Sequence, residues 1–428
     1  MQATEKTAAS ILRKRPVGAT KTKEDNVPPL VTLRLDSAVS ISTSASSESM
    51  SNDVGKVYVP PPLVNQTSVL LVGFFIFILA TIYPPLILLL AYMASKLIPY
   101  SFRVNDDAAS RRRLFADFTK QDDLPDEFKQ LPSHILLEES YWVNSRGMAL
   151  CTTTMTPKHK PIRAVVCFCH GYTDNVSYMK QIEYQRLVDE GIAFVAIEYE
   201  GHGRSDGSLG LINDWNSLIE DVSSFFQEIS RARFSGKSIF LMGESMGGAV
   251  AYCTYNRIPH VFRGVIFVCP MCKISDDMLP PQWVVNTLIW LIGPSGSTSF
   301  LGYLPIAPAK QNVGEVANKL EEKRIINGRA PLNYERNPRL ATARELIKAT
   351  QSISSSLSDF DASFLVIHGK DDRVTDPKLS QSLYEESKSK DKSLRLYDGM
   401  WHGLTSTEPD ENIDLVFSDA IAWILQRS

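Results

Sequence analysis

The stretch LMGESMGGAV, Leu241 to Val250, follows the apolar run Lys237-Ser-Ile-Phe-Leu and precedes a helical-looking segment ending near Arg257. Gly243-Glu244-Ser245-Met246-Gly247 therefore reads as a sharp turn between a buried strand and a helix. Such a turn forces the serine into strained dihedrals, and only glycine leaves room at the flanking positions. G-x-S-x-G arises often by chance, but its placement between strand and helix makes Ser245 a candidate nucleophile, with Gly243 and Gly247 as supporting positions.

Working outward, the same pattern of short apolar runs recurs. RAVVCFCHG, IAFVAIEYEG, KSIFLMGES, RGVIFVCP, SFLVIHGK and KSLRLYDG read as buried strands, with amphipathic segments such as DWNSLIEDVSSFFQEISRAR between most of them. HILLEESYWVNSRGMALCTTTMTP reads as a hairpin turning at residues 144–147. Near-continuous Val, Ile and Phe runs separated by helices predict an α/β domain over residues 133–428, with a mostly parallel eight-stranded sheet covered on both faces.

In such a sheet, functional groups gather at the carboxyl ends of the strands. A serine hydroxyl needs a base within hydrogen-bond reach, and that base needs an orienting carboxylate. His402, in MWHGLTS after the last strand, is the candidate base, and Asp371, Asp372 or Asp376 the candidate orienter. Backbone amides able to hold an oxyanion come from Met246 and from CHGYTDN after the third strand, where Tyr172 is the second donor and His170 and Gly171 shape the turn. His202 is expected to buttress the site. His368 is expected to pack at the end of its strand or behind the site, and His134, His159 and His260 to lie at the surface.

HGYTDN, EYEGHGRSDG, GESMGGAV, PMCKISDDMLPP, IHGKDDRVTDP and YDGMWHGL, in this order, make residues from about 138 to the C-terminus resemble the monoacylglycerol lipase family of α/β hydrolases. The likeness is strongest to its plant and algal branch, which includes lysophospholipase-like and caffeoylshikimate esterase members. The resemblance implies an α/β-hydrolase fold with Ser245 as nucleophile, Asp372 as triad acid, His402 as base, and the Tyr172 and Met246 amides as oxyanion donors. It implies a lipid ester substrate and no cofactor or metal. HGYTDN departs from the small-residue loop of animal lipases, which leaves glycerol headgroup contacts unassigned. Residues 271–362 read as a helical cap inserted between strands; its apolar pieces QWVVNTLIWLIG and FLGYLPIAP either pack on the core or form a lipid-facing rim.

The other segments bear on where such an enzyme sits. Of 428 residues, 45 are Lys or Arg and 48 Asp or Glu, so the net charge of −3 gives no electrostatic footprint for nucleic acid. All six cysteines lie after residue 150, mostly inside apolar runs, which predicts reduced buried thiols; Cys269-x-x-Cys272 lacks the second pair a structural zinc site requires. Residues 1–62, rich in Ser, Thr, Lys and Pro, are expected to be a disordered tail. Their basic start resembles a transit peptide, although Glu5 counts against it.

Residues 63–98 contain no charge before Lys96, and that run exceeds the roughly 20 apolar residues a bilayer-spanning helix needs. A membrane segment is expected there. Pro84-Pro85 makes it a kinked span or a monotopic hairpin, with the kinked span preferred. Lys96, Arg103 and Arg111 to Arg113 follow it in a basic linker, 99–132, expected to be a solvated face or to touch anionic headgroups. The positive-inside rule then places the catalytic domain in the cytosol, with no organelle specified. The alternative outside enzymes is a non-catalytic membrane scaffold or receptor of the same fold. Acyl transfer is disfavoured because no H-x-x-x-x-D stands near the elbow, and epoxide hydrolysis because position 245 is not Asp.

Overall fold

Every strand expected between residues 133 and 428 takes its place in one sheet of the computed structural model, which describes residues 108–118, 131–272, 282–297, 299–307, 313–328, 332–334 and 336–428. The expected disordered tail and membrane segment lie outside the described residues. Among those residues, no helix is long and apolar enough to cross a membrane.

The chain runs through helix α1 (Ala108–Phe118), β1 (Ile135–Val143), β2 (Ala149–Pro157), β3 (Ala164–Cys169), α2 (Tyr178–Asp189), β4 (Ile192–Ile197), α3 (Trp215–Arg233), β5 (Ser238–Glu244), α4 (Met246–Arg257) and β6 (Gly264–Val268). The cap follows, with α5 (Gln282–Ile292), short helical turns and α6 (Leu340–Ser356); then come β7 (Phe364–Gly369), α7 (Pro377–Glu386), β8 (Lys392–Tyr397) and α8 (Asp410–Leu425). The sheet order is β1-β2-β4-β3-β5-β6-β7-β8. The pairs β1·β2 and β2·β4 are antiparallel and the rest parallel. The β1–β2 turn falls at the expected place: Asn144 and Met148 pair at 3.0 Å, and Gly147 takes φ 76°.

Strand residues alternate between two apolar layers because successive side chains point to opposite faces. Val165, Cys167 and Cys169 enter the layer under α3 and α4, while Ala164, Val166 and Phe168 enter the one under α2 and α8. Asp214 caps α3 by accepting from the Asn216 amide at 2.9 Å, so the helix starts where its apolar stripe can lie on the sheet. The cap has a small core of its own, in which Ile292, Ala307, Leu340 and Ala341 meet Leu211.

Two arginines of the basic cluster after the apolar segment depart from the expected solvated face, while Arg113 is exposed. Arg111 is 5% exposed and donates to the carbonyls of Gly203 at 2.9 Å, Ser205 at 2.5 Å and Gly207 at 3.0 Å. Arg112 donates to the Arg204 carbonyl and to Asp206 at 2.8 Å each, and its guanidinium lies over the Tyr141 ring. A guanidinium presents five donors in a rigid fork, and the loop after β4 turns a set of carbonyls toward it. Helix α1 is thereby docked on the α/β domain.

Candidate active site

At the end of β5 the backbone reverses through Ser245, which has φ 52° and ψ −121°. A serine in this region stores about 1–3 kcal/mol of strain and persists only where its surroundings hold it. Three bonds do so: Ser245 N to Val268 O at 3.0 Å, and Gly248 N and Met271 N to Ser245 O at 2.9 Å each. A Cβ on Gly243 would collide with the Gly247 carbonyl, and one on Gly247 with the carbonyl of Cys169, which accounts for both glycines. Ser245 stands at the N-cap of α4, where a serine oxygen ordinarily accepts from the first turn, yet its side chain makes no capping bond. The turn holds the backbone without using the hydroxyl.

The loop after β3 passes beside this serine: a Cβ built on Gly171 would lie 3.6 Å from that of Ser245. Tyr172 follows, its hydroxyl donating to the Gly210 carbonyl at 2.8 Å, and Thr173 takes φ 62°. Met246 opens α4, so its amide is among the first-turn donors without an intrahelical acceptor. His170 is fully buried and stacked on Tyr199 at 3.8 Å; its Nδ1 lies 2.8 Å from the Gly171 carbonyl and its Nε2 accepts from the Tyr199 amide. Those partners fix one neutral tautomer, and burial pushes its pKa down to about 4. His202 packs edge-on to Tyr172 and Tyr199, and burial, reinforced by His170, pushes it down to about 3. Both histidines act as wedges behind the loop.

The three aspartates left open by strand ends separate cleanly, with Asp372, the one the resemblance implies, beside His402. Asp371 is exposed, and Asp376 caps α7 through the Lys378 amide. Asp372 is buried, and its Oδ2 lies 2.7 Å from His402 Nδ1. Its Oδ1 accepts the amides of Val374 at 2.7 Å and Thr375 at 3.0 Å, and Oδ2 also accepts from Thr375 Oγ1 at 2.8 Å. Burial alone would raise this carboxyl; His402 and His368 more than offset it and hold it well below the usual carboxylate range. His402 follows β8, so it lies at the carboxyl ends of the parallel strands, as Ser245 does after β5.

Residues 160–410 match the family model described as "Serine aminopeptidase, S33". The chain is 31% identical over 306 residues to caffeoylshikimate esterase of Arabidopsis thaliana, covering 71% of this chain and 90% of that one. It is 25% identical over 286 residues to human monoglyceride lipase, covering 67% and 90%. The solved soluble variant of Saccharomyces cerevisiae monoglyceride lipase shares the fold, with a TM-score of 0.57 at 20% identity over 68% of this chain and 96% of that one. The chain belongs to the monoacylglycerol lipase-like α/β hydrolases. As a member it is a carboxylic ester hydrolase.

Around this hydrolase site His368 takes one of its two expected places, behind the triad, whereas the roles of Glu244 and Cys269 were not expected from the sequence. His368 Nε2 is 2.9 Å from Asp372 Oδ2 and 3.1 Å from the Thr375 carbonyl, while its Nδ1 faces Ser380 Oγ at 2.6 Å. Asp372 thus serves two histidines. Glu244, the elbow residue before the nucleophile, is buried and accepts from Lys180, Tyr184 and Thr405. A charged residue inside an otherwise apolar strand end was the available signal. Cys269 takes φ 43°, and its Sγ, an Asp372 oxygen and a His402 nitrogen lie within 4.8 Å of one another. That donor set is one a soft cation could use, but both Asp372 oxygens are already engaged by hydrogen bonds.

Proposed function

We propose that this hydrolase cleaves carboxylic esters of single-chain lipids, monoacylglycerol first among them, through an acyl-enzyme on Ser245. Ser245 attacks the ester carbonyl as His402 takes its proton, and Asp372 holds the imidazole in the Nδ1–H tautomer and stabilises the imidazolium. The Met246 and Tyr172 amides hold the developing oxyanion. His402 returns the proton to the departing glycerol oxygen, and water, activated by the same histidine, releases the fatty acid. The observation that carries this reading is the 2.7 Å contact between Asp372 and His402 at the carboxyl ends of the strands, where the strained Ser245 keeps its hydroxyl out of the helix cap.

Two further features support a lipid substrate at a membrane. The uncharged run before Lys96 would anchor the chain, with the catalytic domain on the cytosolic side. On the cap, Trp283 and Trp290 are 72% and 59% exposed, while Val285 and Ile292 of the same helix are buried. Ile292 packs into the cap's own small core, and the two tryptophans face outward. Tryptophan pairs of this kind suit a membrane–water interface, where a single-chain ester is delivered.

The 31% identity to a caffeoylshikimate esterase favours a second reading, hydrolysis of a phenolic ester by the same residues. Fatty acid or caffeate release by the detergent-solubilised full-length protein from monoacylglycerol, lysophosphatidylcholine and caffeoylshikimate, with Ser245→Ala as blank, separates them. Fast Ser245-dependent release from monoacylglycerol supports the first reading. Release confined to caffeoylshikimate overturns it in favour of the second.

A further inference from the structure

Burying a carboxylate beside a nucleophile costs several kcal/mol unless donors surround it, and an apolar side chain would fill the same space without that cost. Glu244 nevertheless occupies the position immediately before Ser245, at the end of β5. Its donors come from segments distant in sequence. Lys180 and Tyr184 lie one turn apart on α2, with Tyr184 Oη donating at 2.6 Å; Thr405 lies three residues beyond His402. Lys180 also pairs with Asp174 at 3.3 Å, and Asp174 belongs to the loop that carries Tyr172, closing a turn on Gly171 at 3.3 Å. Glu244, Lys180 and Thr405 are all less than a tenth exposed, so water competes little for these bonds. One carboxylate therefore touches the nucleophile turn covalently, the base loop directly, and the oxyanion loop through one lysine.

We propose that Glu244 is the positioning residue that holds the His402 loop and the Tyr172 loop in register with the Ser245 elbow. This inference rests on Ser245 being the nucleophile. The Thr405–Glu244 bond acts as a strut, joining the residue before Ser245 to a residue three after His402. Ser245 is fixed by the backbone bonds of its turn, whereas His402 lies on a loop after the last strand, so the strut sets how far the imidazole stands from the hydroxyl. Lys180 serves a second purpose beyond neutralising Glu244: by bonding Asp174 as well, it transmits the same reference point to the oxyanion loop. Burial works against the charged form of each; Asp174 and then Glu244 more than offset it for Lys180, and Lys180 with the Thr405 and Tyr184 hydroxyls does so for Glu244.

The test uses the full-length detergent-solubilised protein, with kcat, KM and the second-order rate of fluorophosphonate labelling as readouts. Thr405→Val keeps the shape and removes only the hydroxyl of the strut; kcat and the labelling rate should fall about 10- to 100-fold with KM within about twofold, the cost of a misplaced base. Thr405→Ser should restore kcat to within about threefold. Tyr184→Phe removes a donor from the same carboxylate without touching a catalytic loop, and should lower thermal stability while leaving kcat within about threefold. If Thr405→Val does not accumulate, Thr405→Ala takes its place against the same Thr405→Ser control. Unchanged kcat in the hydroxyl-free variant, equal loss in Thr405→Ser, or an equal kcat loss in Tyr184→Phe would each overturn the positioning role while Ser245→Ala remains inactive. Activity that survives Ser245→Ala would overturn the nucleophile assignment, and this inference with it.

Discussion

His368 Nε2 lies 2.9 Å from the same oxygen of Asp372 that His402 Nδ1 reaches at 2.7 Å. The ring faces a carboxylate and a carbonyl on its Nε2 side and a serine hydroxyl on its Nδ1 side, which fits an imidazole donating from Nε2. It holds Asp372 from behind while leaving its charge in place. His368→Leu should lower kcat by about tenfold with KM little changed, because Asp372 keeps its negative charge but loses its lateral fix. It should also cost about 1–3 kcal/mol of stability through unpaired buried groups. Steady-state kinetics beside urea unfolding would check both parts.

Arg111 ties the segment that precedes the hydrolase domain to the loop after β4 through three carbonyls. Arg111→Ala in the full chain should lose about 1.5–3 kcal/mol, the scale of hydrogen bonds to a charged group, and Arg111→Lys should not rescue it, because an ammonium cannot match the fork. Differential scanning fluorimetry of the three proteins reads this out. A Tm equal to that of the parent protein in Arg111→Ala would mean that the helix is only tethered.

Burial holds His202 neutral down to about pH 3, against about 6.5 for an unfolded histidine. Between those values the unfolded chain binds the proton that the folded one refuses, so this residue's contribution is present above about pH 6.5 and is lost as pH falls, by about 1.4 kcal/mol per pH unit at most. Glu183, whose carboxyl burial raises to about 7, works in the opposite sense over an overlapping range. The comparison should therefore be between the parent protein and His202→Asn. The unfolding free energy at pH 7 minus that at pH 5 should be lower (less positive or more negative) in His202→Asn than in the parent protein.

Trp283 and Trp290 stand seven residues apart on the outer side of α5. Replacing both by serine should lower hydrolysis of monoacylglycerol presented in phospholipid vesicles several-fold, while hydrolysis of a water-soluble short-chain ester stays within about twofold. Equal loss on both substrates would assign the pair to cap packing instead.

The eight strands, the hairpin turn and the elbow were legible because each is written in local periodicity: unbroken Val, Ile and Phe for the buried strands, Asn144 to Gly147 for the turn, and glycines where a side chain would strike a carbonyl. Strand ends alone narrowed the partner of His402 to three aspartates, since Asp371 and Asp376 share the same short loop with Asp372, and only the family resemblance chose Asp372. Arg111 was illegible for a deeper reason. Its partners are backbone carbonyls of residues 203–207, and a charge cluster looks the same in sequence whether it faces water or a carbonyl nest. Glu244 and Thr405 are 161 residues apart, and nothing local connects them.

Labelling of the full-length protein with a fluorophosphonate, followed by mass spectrometric mapping of the adduct, tests the central claim most directly. The account predicts one adduct, on the peptide carrying Ser245, formed far more slowly in Asp372→Asn and His402→Ala and absent in Ser245→Ala. An adduct on another serine, or labelling at an unchanged rate when His402 is removed, would contradict it.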